Sequence, residues 1–280
     1  MALNLDMVGK KIGPIPFTYN EDTIILYALG IGAGVEELNF IYEKNLKVFP
    51  TFAVIQFAPT LLSIFVPEAK LNLHSVLHGE HKIILYKGIP TSGTFYTTVI
   101  CDSIYDKGAK GAAVNVCFET RDENNETLFE NRAVIIDRSA GNFGGDRGPK
   151  TEPISIPERK TPDFHLEYST SPVQAALYRL SGDKNLMHID PDFANRSGFN
   201  RPILQGLCTF GIAGRAILHS VCESDPARFK SLSARFMNVV YPGEILITRG
   251  WKVDIGNYVI QTMTQHGRVV LGNALAEVAL

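Results

Sequence analysis

Asp183 and His188 stand five residues apart in the run Tyr178-Arg179-Leu180-Ser181-Gly182-Asp183-Lys184-Asn185-Leu186-Met187-His188-Ile189-Asp190-Pro191. At neutral pH an aspartate is a charged acceptor, and a histidine can give or take a proton close to it. Two such groups converging on one water supply what reversible addition of water to a double bond requires. Ser181-Gly182 reads as a turn before the pair and Asp190-Pro191 as a turn after it. Downstream, Pro202-Ile203-Leu204-Gln205-Gly206 opens a long apolar segment. A helix starting there would present unpaired backbone N–H groups where a developing oxyanion could be held. Each feature also has an ordinary reading: a common turn, a common start of a helix, an Asp and a His that merely pack.

The elements that must position these groups come in two copies of one plan. Tyr27-Ala28-Leu29-Gly30 echoes Tyr178-Arg179-Leu180-Ser181, Pro50 echoes Pro202, and Tyr86-Lys87-Gly88 echoes Tyr241-Pro242-Gly243, all at nearly one offset. Between the copies, Arg138 to Asp163 is rich in Gly and Pro and reads as an irregular connection. The expected units are therefore 1–150 and 151–280. Each copy reads as helix, loop, helix, then strands. In the second, helices are predicted over Val173 to Ser181 and Ile203 to Cys222. Its strands are predicted over Ser231 to Val240, Glu244 to Asp254, Tyr258 to Gln265 and Arg268 to Val278. In the first, strands are predicted over Lys82 to Lys87, Gly93 to Tyr105, Gly111 to Thr120 and Leu128 to Asp137. A helix followed by an antiparallel meander implies a sheet curled around that helix, and two such sheets can join edge to edge. Pro59 and Pro67 interrupt the first copy's helix, Phe52 to Val66, which is expected to be short or broken and to leave a cavity.

A chain of 280 residues with 45% hydrophobic content has room for two modest domains. A net charge of -2 gives no electrostatic case for nucleic acid or an anionic membrane, so an anionic ligand would need local basic groups. Cys101, Cys117, Cys208 and Cys222 form no CxxC and read as buried free thiols. Ile203 to Val221 is apolar but broken by Gln205, Thr209, Arg215 and His219, which marks a core helix of a soluble protein, not a membrane span. Met1-Ala2-Leu3-Asn4 lacks the basic start and apolar run of a signal peptide, and Glu277-Val278-Ala279-Leu280 carries no recognisable address.

The run around Asp183 resembles the hydratase 2 signature of the MaoC-like dehydratases, a hot-dog fold family. The likeness is greatest to the (3R)-specific 2-enoyl-CoA hydratase domains of peroxisomal multifunctional enzymes of β-oxidation. It extends over nearly the whole chain, through His78-Gly79-Glu80, Asp106-Lys107-Gly108, Phe143-Gly144-Gly145, Gln205-Gly206-Leu207-Cys208-Thr209-Phe210 and Ala234-Arg235-Phe236. Leu186-Met187 departs from the family's proline-aliphatic pair. The resemblance implies an α+β double hot-dog fold, two units each with an antiparallel sheet wrapped around a central helix. It implies Asp183 and His188 as the catalytic pair, Asn185 as the residue holding loop and water or thioester in register, and Gly206 as oxyanion donor. His78, Gly79, Lys107 and Phe236 match positions that contact acyl-CoA. No cofactor and no metal are expected. A peroxisomal location and fusion to dehydrogenase domains are implied by the family alone, and homodimerisation is compatible with it.

Each of these residues has a rival role. Asn185 could bond its own turn, Gly206 could serve close helix packing, Lys107 could be a solvated turn lysine and Phe236 a core strand residue. His74, His78 and His81 raise a metal site, because His74 and His78 are four apart, but no cysteine joins them and the nearest acidic residue is Glu80, so zinc is not expected. At the repeat offset, Gly32 stands where Asp183 does and Glu37 where His188 does, so the first copy lacks the chemistry. Two other functions share the scaffold: a hot-dog thioesterase and a non-catalytic acyl-CoA-binding module.

Overall fold

A computed structural model describes residues 3–150, 152–158 and 161–279. Met1, Ala2 and Leu280, which entered the reading of targeting signals, and the linker positions Thr151, Arg159 and Lys160 lie outside the described residues. Among the described residues ten strands make one sheet: β1 (Lys11–Tyr19), β2 (Val76–Leu85), β3 (Gly93–Asp106), β4 (Ala112–Arg121), β5 (Thr127–Asp137), β6 (Phe164–Ser169), β7 (Phe229–Phe236), β8 (Ile245–Asp254), β9 (Asn257–Thr264) and β10 (Val269–Val278). Their order is β1-β3-β4-β5-β2-β7-β10-β9-β8-β6. Every paired neighbour runs antiparallel. The first five strands belong to one unit and the last five to the other. They join through β2 and β7, from Glu80 opposite Arg235 to Ile84 opposite Ser231, which removes two edges at once. This is the double hot-dog arrangement.

Two strands escape the sequence reading, and both are edges. β1 carries Gly13, Pro14 and Pro16, residues that argue against a strand until one sees that only β3 pairs with it. A proline lacks a donor and is tolerated where the N–H would face outward. β6 is six residues long and follows the Pro-rich linker. Its alternating Phe164, Leu166 and Tyr168 are the signal that could have revealed it.

The second unit's central helix spans Gly206–Val221, with Leu207 through Leu218 buried without interruption. A helix apolar on all sides is stable only as core. It starts later than the Ile203 expected, because Ile203 to Gln205 stay extended: Leu204 N–H donates to the Val240 carbonyl at 2.7 Å. Cβ atoms on Gly211 and Gly214 would meet Ile31 at 2.5 Å and Thr51 at 2.4 Å, so small residues let the first unit lie directly against this helix. Before it, a short helix, Gln174–Tyr178, tightens into a 3-10 turn at Arg179–Ser181.

The corresponding stretch of the first unit is broken, as its prolines require. It passes through a 3-10 turn (Pro50–Val54), an α turn (Phe57–Thr60), a π turn (Leu61–Phe65) and a last α turn (Val66–Glu68). By length and hydropathy Pro50–Glu68 could cross a membrane, yet 72% of it is buried inside the fold. The broken face lines a cavity.

Candidate active site

The run holding Asp183 and His188 is shaped by its backbone. Gly182 sits in the left-handed region at φ +114°, and a Cβ there would stand 2.7 Å from Pro59 of the broken segment. Only glycine takes that turn without strain. Asn185 then caps a one-turn 3-10 helix, Leu186–His188, by accepting from Met187 N–H at 3.1 Å. Asp190 caps the next helix, Pro191–Arg196, by accepting from Phe193 N–H at 2.9 Å. The ordinary roles foreseen for Asn185 and Asp190-Pro191 are thus present, and they aim the neighbouring side chains.

His188 Nδ1 lies 2.9 Å from the Ile203 carbonyl. A carbonyl only accepts, so Nδ1 carries the proton and Nε2 is free to exchange one. That Nε2 faces Asp183 Oδ2 at 3.8 Å, with both side chains mostly buried (10% and 14% exposed). The spacing is one at which a single water can touch both groups.

Pair and cavity coincide. A cavity of about 520 Å³ is walled by Asp183, Asn185, His188 and Gly206 on one side and by Phe57, Ala58, Leu61 and Leu62 of the broken segment on another. His78, Phe236 and Arg138 also line it. Gly206 opens the central helix, where its N–H has no intrahelical partner and the helix dipole is positive. A Cβ there would press on the Phe236 ring at 3.1 Å.

Two family-matched positions lie outside this wall. Gly79 packs beneath it, where a Cβ would meet Ile136 and the Val134 carbonyl at 3.2 Å. Lys107 belongs to a clasp organised by its neighbour Asp106. Asp106 accepts from the N–H groups of Gly108, Asn142 and Gly144 at 2.8, 2.9 and 2.8 Å. Those bonds hold its carboxyl below the usual range, despite its burial. Lys107 itself donates to the Arg147 carbonyl and lies 5.2 Å over Tyr105. Its backbone bonds Gly111, which abuts Arg138 at the cavity.

The histidines raised as a metal site do not converge. His74 stacks on Phe193 and His78 points to His81. Among the described residues no three of His, Cys, Asp and Glu cluster as metal ligands would. Sequence reasoning missed Arg138, whose signal was a basic residue just past the end of β5. It also missed Phe57, Ala58, Leu61 and Leu62 as individual wall residues.

Two family models match the chain in succession: the MFE-2 hydratase 2 N-terminal domain over residues 17–139 and the MaoC like domain over residues 155–274. The "Probable enoyl-CoA hydratase 2" of Dictyostelium discoideum is 36% identical over 277 residues, covering 96% of this chain and 94% of that protein. The chain belongs to the MaoC-like hydratase 2 family. Within it, the "Peroxisomal multifunctional enzyme type 2" of Mus musculus is 37% identical over 280 residues. That alignment takes in 96% of this chain but only 38% of the mouse protein. A crystal structure described as a MaoC-like dehydratase from Phytophthora capsici superposes with a TM-score of 0.88 at 31% identity, covering 99% and 98% of the two chains. A Mycobacterium tuberculosis protein described as a double hotdog fold superposes at 0.61 with 11% identity over 98% and 96% of the chains, a likeness of fold alone. The hydratase 2 signature is therefore carried on the double hot-dog scaffold, and its run lies where the two units meet.

Proposed function

We propose that the chain catalyses the reversible hydration of trans-2-enoyl-CoA to (3R)-3-hydroxyacyl-CoA in fatty-acid β-oxidation. The observation that carries this reading is the Asp183–His188 pair, facing across 3.8 Å in the wall of an apolar cavity beside a helix N-terminus. Water held by both groups adds its oxygen to C3, and the C2–C3 π electrons pass toward the thioester. The thioester oxygen, carrying the negative charge, is met by the Gly206 N–H. The pair takes one proton from water and returns one at C2, so it ends each turnover as it began.

The second unit, 151–280, supplies this chemistry, and the first, 1–150, supplies the opposite wall. Phe57, Leu61 and Leu62 would receive the acyl tail, with His78 over Gly79 and Phe236 flanking the thioester. Arg138, with Lys107 on the adjoining clasp, gives the phosphates of CoA a cationic rim. Peroxisomal residence and attachment to dehydrogenase domains are part of this reading, supported by the name of the mouse enzyme for the first and, for the second, by the longer "Peroxisomal hydratase-dehydrogenase-epimerase" of Neurospora crassa, 36% identical over 274 residues.

The test is loss of enoyl-thioester absorbance on adding protein to a trans-2-enoyl-CoA, with chiral analysis of the product. Asp183→Asn and His188→Gln are each expected to lower kcat by about 10²–10⁴-fold without lowering the melting temperature. Full rate in both variants would overturn the site. Release of free CoA would show a thioesterase instead, and unchanged substrate with measurable binding would show an acyl-CoA-binding module.

A further inference from the structure

A line of hydrogen bonds runs from the first unit's core to the cavity wall. It starts at the Ala53 carbonyl, which accepts from Asn131 Nδ2 at 3.0 Å. That bond fixes the amide, so Asn131 Oδ1 is the atom facing His81. His81 Nε2 lies 3.0 Å from this oxygen and therefore carries the proton. Its Nδ1 is bare and accepts from His78 Nε2–H at 3.2 Å. Asn131 and His81 are 2% and 1% exposed, so no bulk water replaces a lost partner. Burial keeps both imidazoles neutral: against the Asn131 hydrogen bond it lowers His81 to about 4, and with His81 alongside it holds His78 well below its ordinary value despite a backbone hydrogen bond at Glu80.

What this line orients is one ring at the cavity. His78 stacks on Phe57 at 5.0 Å and 21° and meets Phe236 at 4.7 Å. Phe236 in turn covers the face of Gly206. All four line the cavity, whereas His81 and Asn131 do not.

We propose that His81 and Asn131 are positioning residues for thioester binding: they fix the tautomer and plane of His78, which braces Phe236 against Gly206. The inference rests on the hydratase reading. A wall of this kind, an uncharged imidazole between two phenyl rings, suits the neutral acyl and pantetheine portion of the substrate and not its phosphates.

Two measurements on the full chain test it. Imidazole 15N spectra at pH 7 are expected to show His81 and His78 each neutral with the proton on Nε2. A charged ring or the opposite tautomer at either position overturns the proposal, whatever the protein catalyses. In steady-state hydration, His81→Leu is expected to raise KM for enoyl-CoA about tenfold with kcat within about twofold. His81→Gln, which retains a donor and an acceptor, should restore KM. An unchanged KM in His81→Leu, or no recovery in His81→Gln, overturns it. A wild-type protein that showed the expected spectra but no hydration would instead sink the hydratase reading alone.

Discussion

Asp183 and His188 meet because each is tied to something other than its partner. His188 is oriented by the Ile203 carbonyl, and Asp183 follows a left-handed glycine wedged against Pro59. Gly206 shows the same economy, since its N–H is exposed to the cavity by the start of a helix and its missing side chain leaves room for Phe236. Gly206→Ala should therefore fold, because alanine favours a helix. Its methyl group, 3.1 Å from the Phe236 ring, must displace that ring or the backbone N–H. The expected outcome is a fall in kcat of roughly 10²-fold, the scale of one lost oxyanion donor, with an unchanged melting temperature. Steady-state kinetics and calorimetry on the one variant check both halves. At this scale the candidate site could be proposed from the sequence because its members lie within one short stretch of the chain. Asp183, His188, Asn185 and Gly206 are close in sequence, and all four line one cavity. Arg138 and the His81–Asn131 contact were not legible, since they join positions across strands whose register no local pattern gives. Lys107 illustrates the opposite: a recognisable triplet whose most constrained member is its neighbour Asp106, with three backbone N–H groups donating to its carboxylate.

The broken helix is an element in which the two units differ in structure. Had Pro59 and Pro67 been absent, a regular helix could have filled the first unit as Gly206–Val221 fills the second. Instead Leu61 and Leu62 fall in a π turn and border the cavity. Two prolines in an apolar run made this break legible before any coordinates. The edge strands β1 and β6 were not, because an edge tolerates the prolines and shortness that disqualify a central strand. If the π turn bounds the acyl tail, filling it should shorten the accepted chain. Leu62→Phe replaces a half-buried wall residue with a longer one and should raise KM for a long-chain enoyl-CoA about tenfold or more. The value of kcat/KM for a four-carbon enoyl-CoA should stay within about twofold, since steric exclusion acts only on the atoms that reach the obstruction. Equal effects on both substrates, measured in parallel, would place the tail elsewhere.

Across the whole molecule, the residue at the repeat offset of His188 has a structural use. Glu37, the offset counterpart of His188, reaches from the first unit to Arg215 and His219 on the central helix of the second. Arg215 Nε donates to Glu37 Oε1 at 2.7 Å, a second guanidinium N–H meets Oε2, and His219 Nε2 lies 2.6 Å from Oε1. Arg215 also lies 3.9 Å over the Tyr168 ring of β6, so the contact ties the farthest strand to the opposite unit. Burial alone would raise the Glu37 carboxyl. The hydrogen bonds from His219 and Arg215, the Arg215 charge and the Gly34 N–H outweigh it and bring the group down to about 2 from 4.5. The sign of the linkage follows: the unfolded chain binds the proton first, so folding stability is full above about 4.5 and falls as the pH drops toward 2. Glu37→Gln removes that titration and leaves Arg215 buried without its counter-charge. The variant should be less stable than the wild type at pH 7 by about 3–5 kcal/mol, the usual cost of stranding one member of a buried pair. Its stability should then lose less than the wild type's between pH 4.5 and pH 2, so the two denaturant-unfolding curves converge on acidification. A constant gap across that interval would mean that the carboxylate does not hold the two units together by its charge.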